Sequence, residues 1–171
     1  TMIVPDEFPS IVEAAAHTSN GDVIQVREGH YPGTLRFVRV EGITVEGIGP
    51  GATVVPDRIV VTDSRRVTIK NLVGSGVTGV AISGSEDIRI EGVSLTGGAF
   101  GTSNGIGVSS STRIQLVGNV VEGFSREGIR VRDSREIELA SNTILRCGGN
   151  GLLLADSADV RITSQRILEN R

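Results

Sequence analysis

The sequence is poor in the residues on which disulfide-bonded, nucleic-acid-binding and aromatic-cored domains depend. Its 171 residues include one cysteine, Cys147, one tyrosine and no tryptophan. A single thiol cannot form an internal disulfide, so the fold does not rest on oxidation. The 17 basic residues are outnumbered by 20 acidic ones, and the net charge of -3 argues against a nucleic-acid partner, because phosphate binding needs a basic face.

Long apolar runs are also missing. No run approaches the ~20 residues of a membrane span, so no membrane partner is expected. Residues 1–10 (TMIVPDEFPS) lack the basic start and apolar run of a signal peptide. The residues therefore leave the compartment open.

What the sequence does contain is a repeat. Similar segments begin at Ile59, Val80, Ile106, Ile129 and Leu152, with starts separated by 21, 26, 23 and 23 residues. Each has two alternating apolar residues, a serine three positions later, and a second alternating pair; the serines are Ser64, Ser85, Ser111, Ser134 and Ser157. Alternation is the period of a strand. Each copy therefore predicts two strands joined by a serine turn, then a third apolar segment and a loop ending in glycine.

A repeat of this length predicts a solenoid, because one coil cannot bury a core alone. Identical columns stacked ~4.8 Å apart share their interior and their backbone hydrogen bonds. The serines are expected to bond the backbone of the first bend. At the second bend we expect residues that tolerate positive φ, namely Asn71, Gly92, Asn119, Asn142 and Gln165.

Residues 1–171 are predicted to form one domain. Residues 1–22 are an N-terminal cap with an amphipathic helix near 8–18, residues 23–58 are irregular first coils, and residues 59–171 are regular coils. The segment IVEAAAHTSNGDVIQVREGHYPGTLRF, with Gly21, Asp22, Gly29 and Tyr31, resembles the opening of the pectate-lyase-like superfamily. The resemblance implies an all-β, right-handed parallel β-helix of about seven coils. It also favours an extracellular or cell-surface location, but the repeat is shared by many enzymes and binding domains.

The candidate site lies on the outward positions of the first strand. That column is mostly small or apolar: Val60, Ala81, Gly107, Arg130 and Leu153. One charged patch interrupts it, formed by Arg126, Glu127, Arg130, Arg132 and Asp133. Because guanidinium groups suit carboxylates, the patch predicts a non-catalytic domain that binds an acidic polysaccharide. Phe100 is expected either to stack on a sugar or to fold back over the sheet.

Two other functions stay open. The resemblance implies a polysaccharide lyase or epimerase, or a fragment of one, with an arginine base and a Ca²⁺ ion shared by Asp133 and Asp156; otherwise no cofactor is expected. Aspartates beside a turn also bond the turn or pair with arginine, and calcium prefers 6–8 oxygen ligands.

Assembly is the third function. The end near Leu168 lacks a cap, so the chain is either a fragment of a longer helix or a homo-oligomer joined through this end or through the apolar outer column. A further column, Arg66, Asp87, Arg113, Glu136 and Asp159, is interpreted as a structural ladder of exposed ion pairs.

Overall fold

The computed structural model describes residues 1–48, 53–54, 57–77, 79–98 and 103–171. The chain winds into a parallel solenoid of about seven coils, as the repeat predicts. Each complete coil contributes one strand to each of three sheets, and each strand pairs in parallel with the equivalent strand of the next coil.

Sheet I contains six strands: β4 (Thr34–Val38), β7 (Arg58–Thr62), β10 (Val80–Ser83), β13 (Ile106–Ser109), β16 (Ile129–Arg132) and β19 (Leu152–Ala155). Sheet II contains eight: β1 (Met2–Val4), β2 (Val23–Val26), β5 (Thr44–Gly47), β8 (Arg65–Lys70), β11 (Glu86–Glu91), β14 (Thr112–Val117), β17 (Arg135–Ala140) and β20 (Ala158–Thr163). Sheet III contains seven: β3 (Gly29–His30), β6 (Thr53–Val54), β9 (Val73–Val77), β12 (Ser94–Gly97), β15 (Val120–Glu122), β18 (Thr143–Leu145) and β21 (Arg166–Leu168).

The register follows the columns of the sequence repeat. In sheet I the first residues of the five copies lie directly over one another: Ile59, Val80, Ile106, Ile129 and Leu152. The alternating apolar residues point inward and are fully buried in the middle coils, as at Ile82 and Val131. The period of two thus separates a continuous core from an outer face on every sheet.

The first bend contains the predicted serine ladder. The Ser111 hydroxyl donates to the carbonyl of Ser109 at 2.7 Å and accepts from the backbone N–H of Ser85 at 3.2 Å. The same pair of bonds recurs at Ser134, which links the coils of Ser111 and Arg132. Each serine therefore satisfies its own turn and the coil beside it, which confirms the structural role.

The second bend differs from the prediction. Asn71 and Gly92 do have positive φ, but in the later coils the positive φ falls one residue earlier, at Gly118, Ser141 and Ser164. The strand register is the same in every coil, so Asn119 and Asn142 share the inward column of Leu72 and Val93, one residue after the positive φ, and both are fully buried. Positive φ is therefore the wrong explanation for these two asparagines, and their amides form an internal hydrogen-bond ladder instead.

The N-terminal helix is shorter than predicted. It spans Ile11–Ala16, because Ser10 caps it by accepting from the Glu13 N–H at 3.1 Å and His17 ends it. Residues 2–4, assigned to the cap by the sequence, form β1 and extend sheet II by pairing with β2. Nowhere in the part of the chain that the structure describes is there a helix suited in length and hydropathy to crossing a bilayer.

Candidate functional site

The outer face of sheet I has small residues in its middle and arginine at both sides of them. One outward column runs Arg36, Val60, Ala81, Gly107, Arg130 and Leu153. A Cβ built on Gly107 would lie 3.8 Å from Asn104 Nδ2 and 3.9 Å from the Val80 carbonyl, which are ordinary van der Waals distances, so this position has room for a small side chain. The small side chains thus leave a shallow floor between cationic walls.

Two adjoining hollows lie on this floor and share Ala81, Asn104 and Gly107. The larger, of about 380 Å³, is also lined by Arg58 and Arg126. The smaller, of about 180 Å³, is lined on its other side by Arg130 and Arg132. Together they form what we call the sheet I groove, with four arginines at its edge.

Four buried polar atoms near this groove have no hydrogen-bond partner among the residues that the structure describes. They are Ser103 Oγ, Asn104 Oδ1, Glu127 Oε2 and Arg130 Nε, and we call them the unpaired set. Ser103 and Asn104 lie just before β13, and Glu127 and Arg130 lie around the start of the adjacent strand β16. Ser103, Asn104 and Arg130 line the groove itself, and Glu127 lies in the coil beside Asn104. Burying a polar atom without a partner costs about 1–3 kcal/mol, so this set favours a site that a ligand completes.

The predicted patch is brought together only in part. Arg126, Arg130 and Arg132 line the groove, and Glu127 lies in the coil beside Asn104, where its carbonyl accepts from the Gly105 N–H at 3.0 Å. Phe100 lies outside the described residues. Whether these side chains contact a ligand stays a prediction.

Asp133 and Asp156 belong to the bend between sheets I and II. Their φ angles are 49° and 48°, a conformation that aspartate tolerates better than most residues. The Asp133 carboxylate also lies 3.3 Å from Arg132 Nε. The described residues contain no group of three or more histidine, cysteine or acidic side chains able to hold a metal ion. Two carboxylates fall short of the 6–8 oxygen ligands of a calcium site, so this aspartate pair does not fit a calcium ion.

The sequence prediction of the site did not include four residues on or beside this face, namely Ser103, Asn104, Arg36 and Arg58. Ser103 and Asn104 lie in the longest insertion between two copies of the repeat. The repeat does not predict where inserted residues lie. Arg36 and Arg58 precede the clear copies, but extending the column backward by one coil would have found Arg36.

A larger groove of about 620 Å³ runs along sheet II, beside the predicted charge ladder. Asp87 and Arg113 pair there with Nε and Oδ1 2.6 Å apart, and this hydrogen bond lowers the pKa of Asp87. Glu136 and Asp159 have no ion-pair partner among the described residues, so the ladder forms only in part.

The polar side chains on the floor of this sheet II groove bind one another. Arg89 donates to Gln115 at 2.7 Å, and Gln115 donates to Glu138 at 3.0 Å. Because these groups are already satisfied, the smaller sheet I groove is the better candidate site.

Comparison with known proteins agrees with this architecture. The family model described as "Right handed beta helix region" matches residues 36–171. No curated protein matches the chain in sequence. Among solved structures, a candidate glycosyl hydrolase from Parabacteroides merdae is similar with a TM-score of 0.61 and 12% identity over 80% of each chain.

Two further structures are similar over most of this chain but extend well beyond it. The enzymatically active domain of tailspike protein 2 of bacteriophage CBA120 has a TM-score of 0.57 and 15% identity, over 82% of this chain and 23% of the tailspike chain. A rhamnogalacturonan lyase has a TM-score of 0.53 and 12% identity, over 88% of this chain and 57% of its own. At such identities the likeness shows the fold alone.

Proposed function

We propose that this chain, which belongs to the right-handed β-helix family, binds an acidic polysaccharide along the sheet I groove without cleaving it. The observation that carries the proposal is that three residues of the unpaired set, Ser103, Asn104 and Arg130, line the arginine-walled groove. Buried polar atoms without partners mark the place where the folded protein gains most from a polar ligand.

The charges at the groove indicate the sign of the ligand. Arg58 and Arg126 line one hollow, and Arg130 and Arg132 line the other. Guanidinium groups bind carboxylates through paired, charge-assisted hydrogen bonds. The small floor at Ala81 and Gly107 leaves room for a ring-shaped unit between them. Two of the similar structures carry the names of carbohydrate-active proteins, which is in keeping with a saccharide ligand.

Binding is tested by titrating the protein with oligogalacturonate and oligomannuronate, and with neutral oligosaccharides of the same length. The variant Arg130→Ala/Arg132→Ala removes two groove arginines. The control Arg161→Ala/Arg166→Ala removes the same charge from strands β20 and β21 on the other sheets.

We expect the groove variant to weaken binding of acidic oligomers by at least tenfold, since each charge-assisted hydrogen bond contributes about 1.5–3 kcal/mol. The control variant is expected to bind within about twofold of the wild type, because it loses only long-range attraction. Equal losses in both variants would show non-specific charge attraction and refute the site. Rising ultraviolet absorbance on incubation with these uronates would instead favour the lyase.

Association through the last coil is a second candidate. Ile162 and Ile167 are each 45% exposed there, whereas the equivalent Leu139 and Ile144 of the coil before are buried, and Leu168 beside them is 43% exposed. Another coil or another molecule would cover this surface. If copies of the chain associate here, Leu168→Glu abolishes a high-mass species in light scattering, and an unchanged mass refutes association through Leu168.

A further inference from the structure

Asparagine followed by glycine occurs three times in this chain, at Asn20, Asn104 and Asn150. Because glycine has no Cβ, its backbone nitrogen can approach the preceding side chain closely. We infer that Asn150 is a site of spontaneous covalent modification, at which the folded protein converts the side-chain amide to a carboxylate, and that the fold protects the other two asparagines. The inference is independent of the proposed function.

The only other reactant is water. The Gly151 nitrogen bonds to the Cγ atom of Asn150, and the side-chain amide leaves as ammonia, taking the proton of that nitrogen. Water then opens the resulting succinimide ring at either carbonyl, which gives aspartate or isoaspartate. The reaction therefore needs a backbone N–H that can lose its proton and a side chain that can turn onto that nitrogen.

Asn20 is exposed but lacks both of these freedoms. Its Oδ1 accepts from the Glu41 N–H at 3.0 Å, and the Gly21 N–H donates to the Glu41 carbonyl, also at 3.0 Å. Two hydrogen bonds to one residue of the next coil thus hold the side chain and the nitrogen in place. Exposure alone does not make an asparagine reactive.

Asn104 is protected by burial and by neighbouring coils. Its Oδ1 is buried, and so is the following Gly105. The Gly105 N–H donates to the Glu127 carbonyl at 3.0 Å, and the Gly105 carbonyl accepts from the Val80 N–H at 2.8 Å. Because both groups of Gly105 are bonded, cyclisation at Asn104 requires local opening of the coils.

Asn150 has neither kind of protection. Its side chain is exposed and makes no hydrogen bond within the part of the chain that the structure describes. The N–H groups of Gly105 and Gly128 point to the following coil and donate to it. The equivalent N–H of Gly151 has no acceptor among the described residues and points away from the stack. The nitrogen and the amide that must react are therefore both free in the folded protein.

The modification is expected to loosen the coil that contains it. The Asn150 carbonyl accepts from the Gly128 N–H at 3.0 Å, and the Gly151 carbonyl accepts from the Ile129 N–H at 2.8 Å. Isoaspartate lengthens the main chain by one carbon at this link, so the two bonds cannot both keep their register. We expect faster amide hydrogen exchange at Gly128 and Ile129 in the modified protein.

The test is incubation of the folded protein at mildly alkaline pH, with peptide mapping by mass spectrometry at intervals. We expect Asn150 to be converted at least tenfold faster than Asn20 and Asn104, which corresponds to about 1.4 kcal/mol of local opening at the two protected sites. The same measurement in guanidinium chloride is the internal control. Without the fold the three sites present the same dipeptide, and we expect similar rates.

Asn150→Gln is the matched variant, because its longer side chain must close a larger ring that forms more slowly. We expect no conversion at this position and no change in hydrogen exchange at Gly128 and Ile129 on ageing. Equal rates at the three sites of the folded wild type would overturn the inference. So would a rate at Asn150 that falls below its denatured-state value as far as the rate at Asn104 does, since the Gly151 nitrogen would then be protected.

Discussion

Replacing Asn142 with leucine should destabilise the protein more than any exposed substitution, because this side chain joins three coils. It is fully buried. Its Oδ1 accepts from the backbone and side-chain N–H groups of Asn119, both at 3.0 Å. Its Nδ2 donates to the Leu116 carbonyl at 2.8 Å and to Gln165 at 3.1 Å.

The magnitude follows from the groups left without a bond. The Asn119 backbone N–H loses this acceptor and the Leu116 carbonyl loses this donor, and each buried loss costs about 1–3 kcal/mol. Steric misfit adds little, since Leu72 and Val93 are also fully or almost fully buried at the inward position of this bend in earlier coils. We expect the free energy of unfolding to fall by about 3 kcal/mol, which corresponds to roughly 6–12 °C in the midpoint temperature for a chain of this size.

Guanidinium chloride denaturation followed by far-ultraviolet circular dichroism measures this change. Gln165→Leu is the graded comparison, because Gln165 ends the column and holds one cross-coil bond; we expect a loss of about 1 kcal/mol there. The double variant Asn119→Leu/Asn142→Leu should lose less than the sum of the single variants, since each removes a partner of the other. A loss at Asn142 no larger than that at Gln165 would refute the account of the amide ladder.

Two further predictions concern the packing and the charges of the coils. Gly128→Ala should lower the free energy of unfolding by about 1–3 kcal/mol in a denaturant titration, because its Cβ would overlap the Ile144 side chain; a change below about 0.5 kcal/mol would show that the coils relax. The pKa of Glu46 is lowered, chiefly by the hydrogen bond from Lys70 and then by that from Gln25. The stability that the Glu46 carboxylate contributes is therefore present above its unfolded-state pKa and is lost as the pH falls through its lower folded-state pKa. Denaturation at stepped acidic pH should therefore show a smaller loss of stability in Glu46→Gln than in the wild type, and identical pH profiles would contradict this assignment.

Most of the fold could be predicted because a local pattern repeats. The serine column, exemplified by Ser111, and the inward apolar pairs recur at a fixed offset within each copy, so one correct alignment places them all. The second bend was predicted less well. The prediction aligned Asn142 with Asn71, whereas the strand register aligns Ser141 with Asn71 and places Asn142 in the inward column of Leu72. Composition does not reveal this shift, since asparagine suits both positions.

The candidate site likewise contains residues that the repeat pattern could place and residues that it could not. Arg130 and Arg132 could be assigned to the outer face of sheet I, because alternation determines which side of a strand each residue occupies. Ser103 and Asn104 could not, because they belong to an inserted loop with no period to place it.

The sequence by itself determined that this protein is a stack of coils, which residues share a column, and which face each of them occupies. The period of two and the spacing of the copies carry that information, and parallel pairing turns it directly into register. Only the tertiary structure decided which polar groups remain without partners, and therefore that the small sheet I groove and not the larger sheet II groove is the candidate site. Hydrogen-bond satisfaction depends on distances between side chains from loops of unequal length, and no local pattern in the chain encodes those distances.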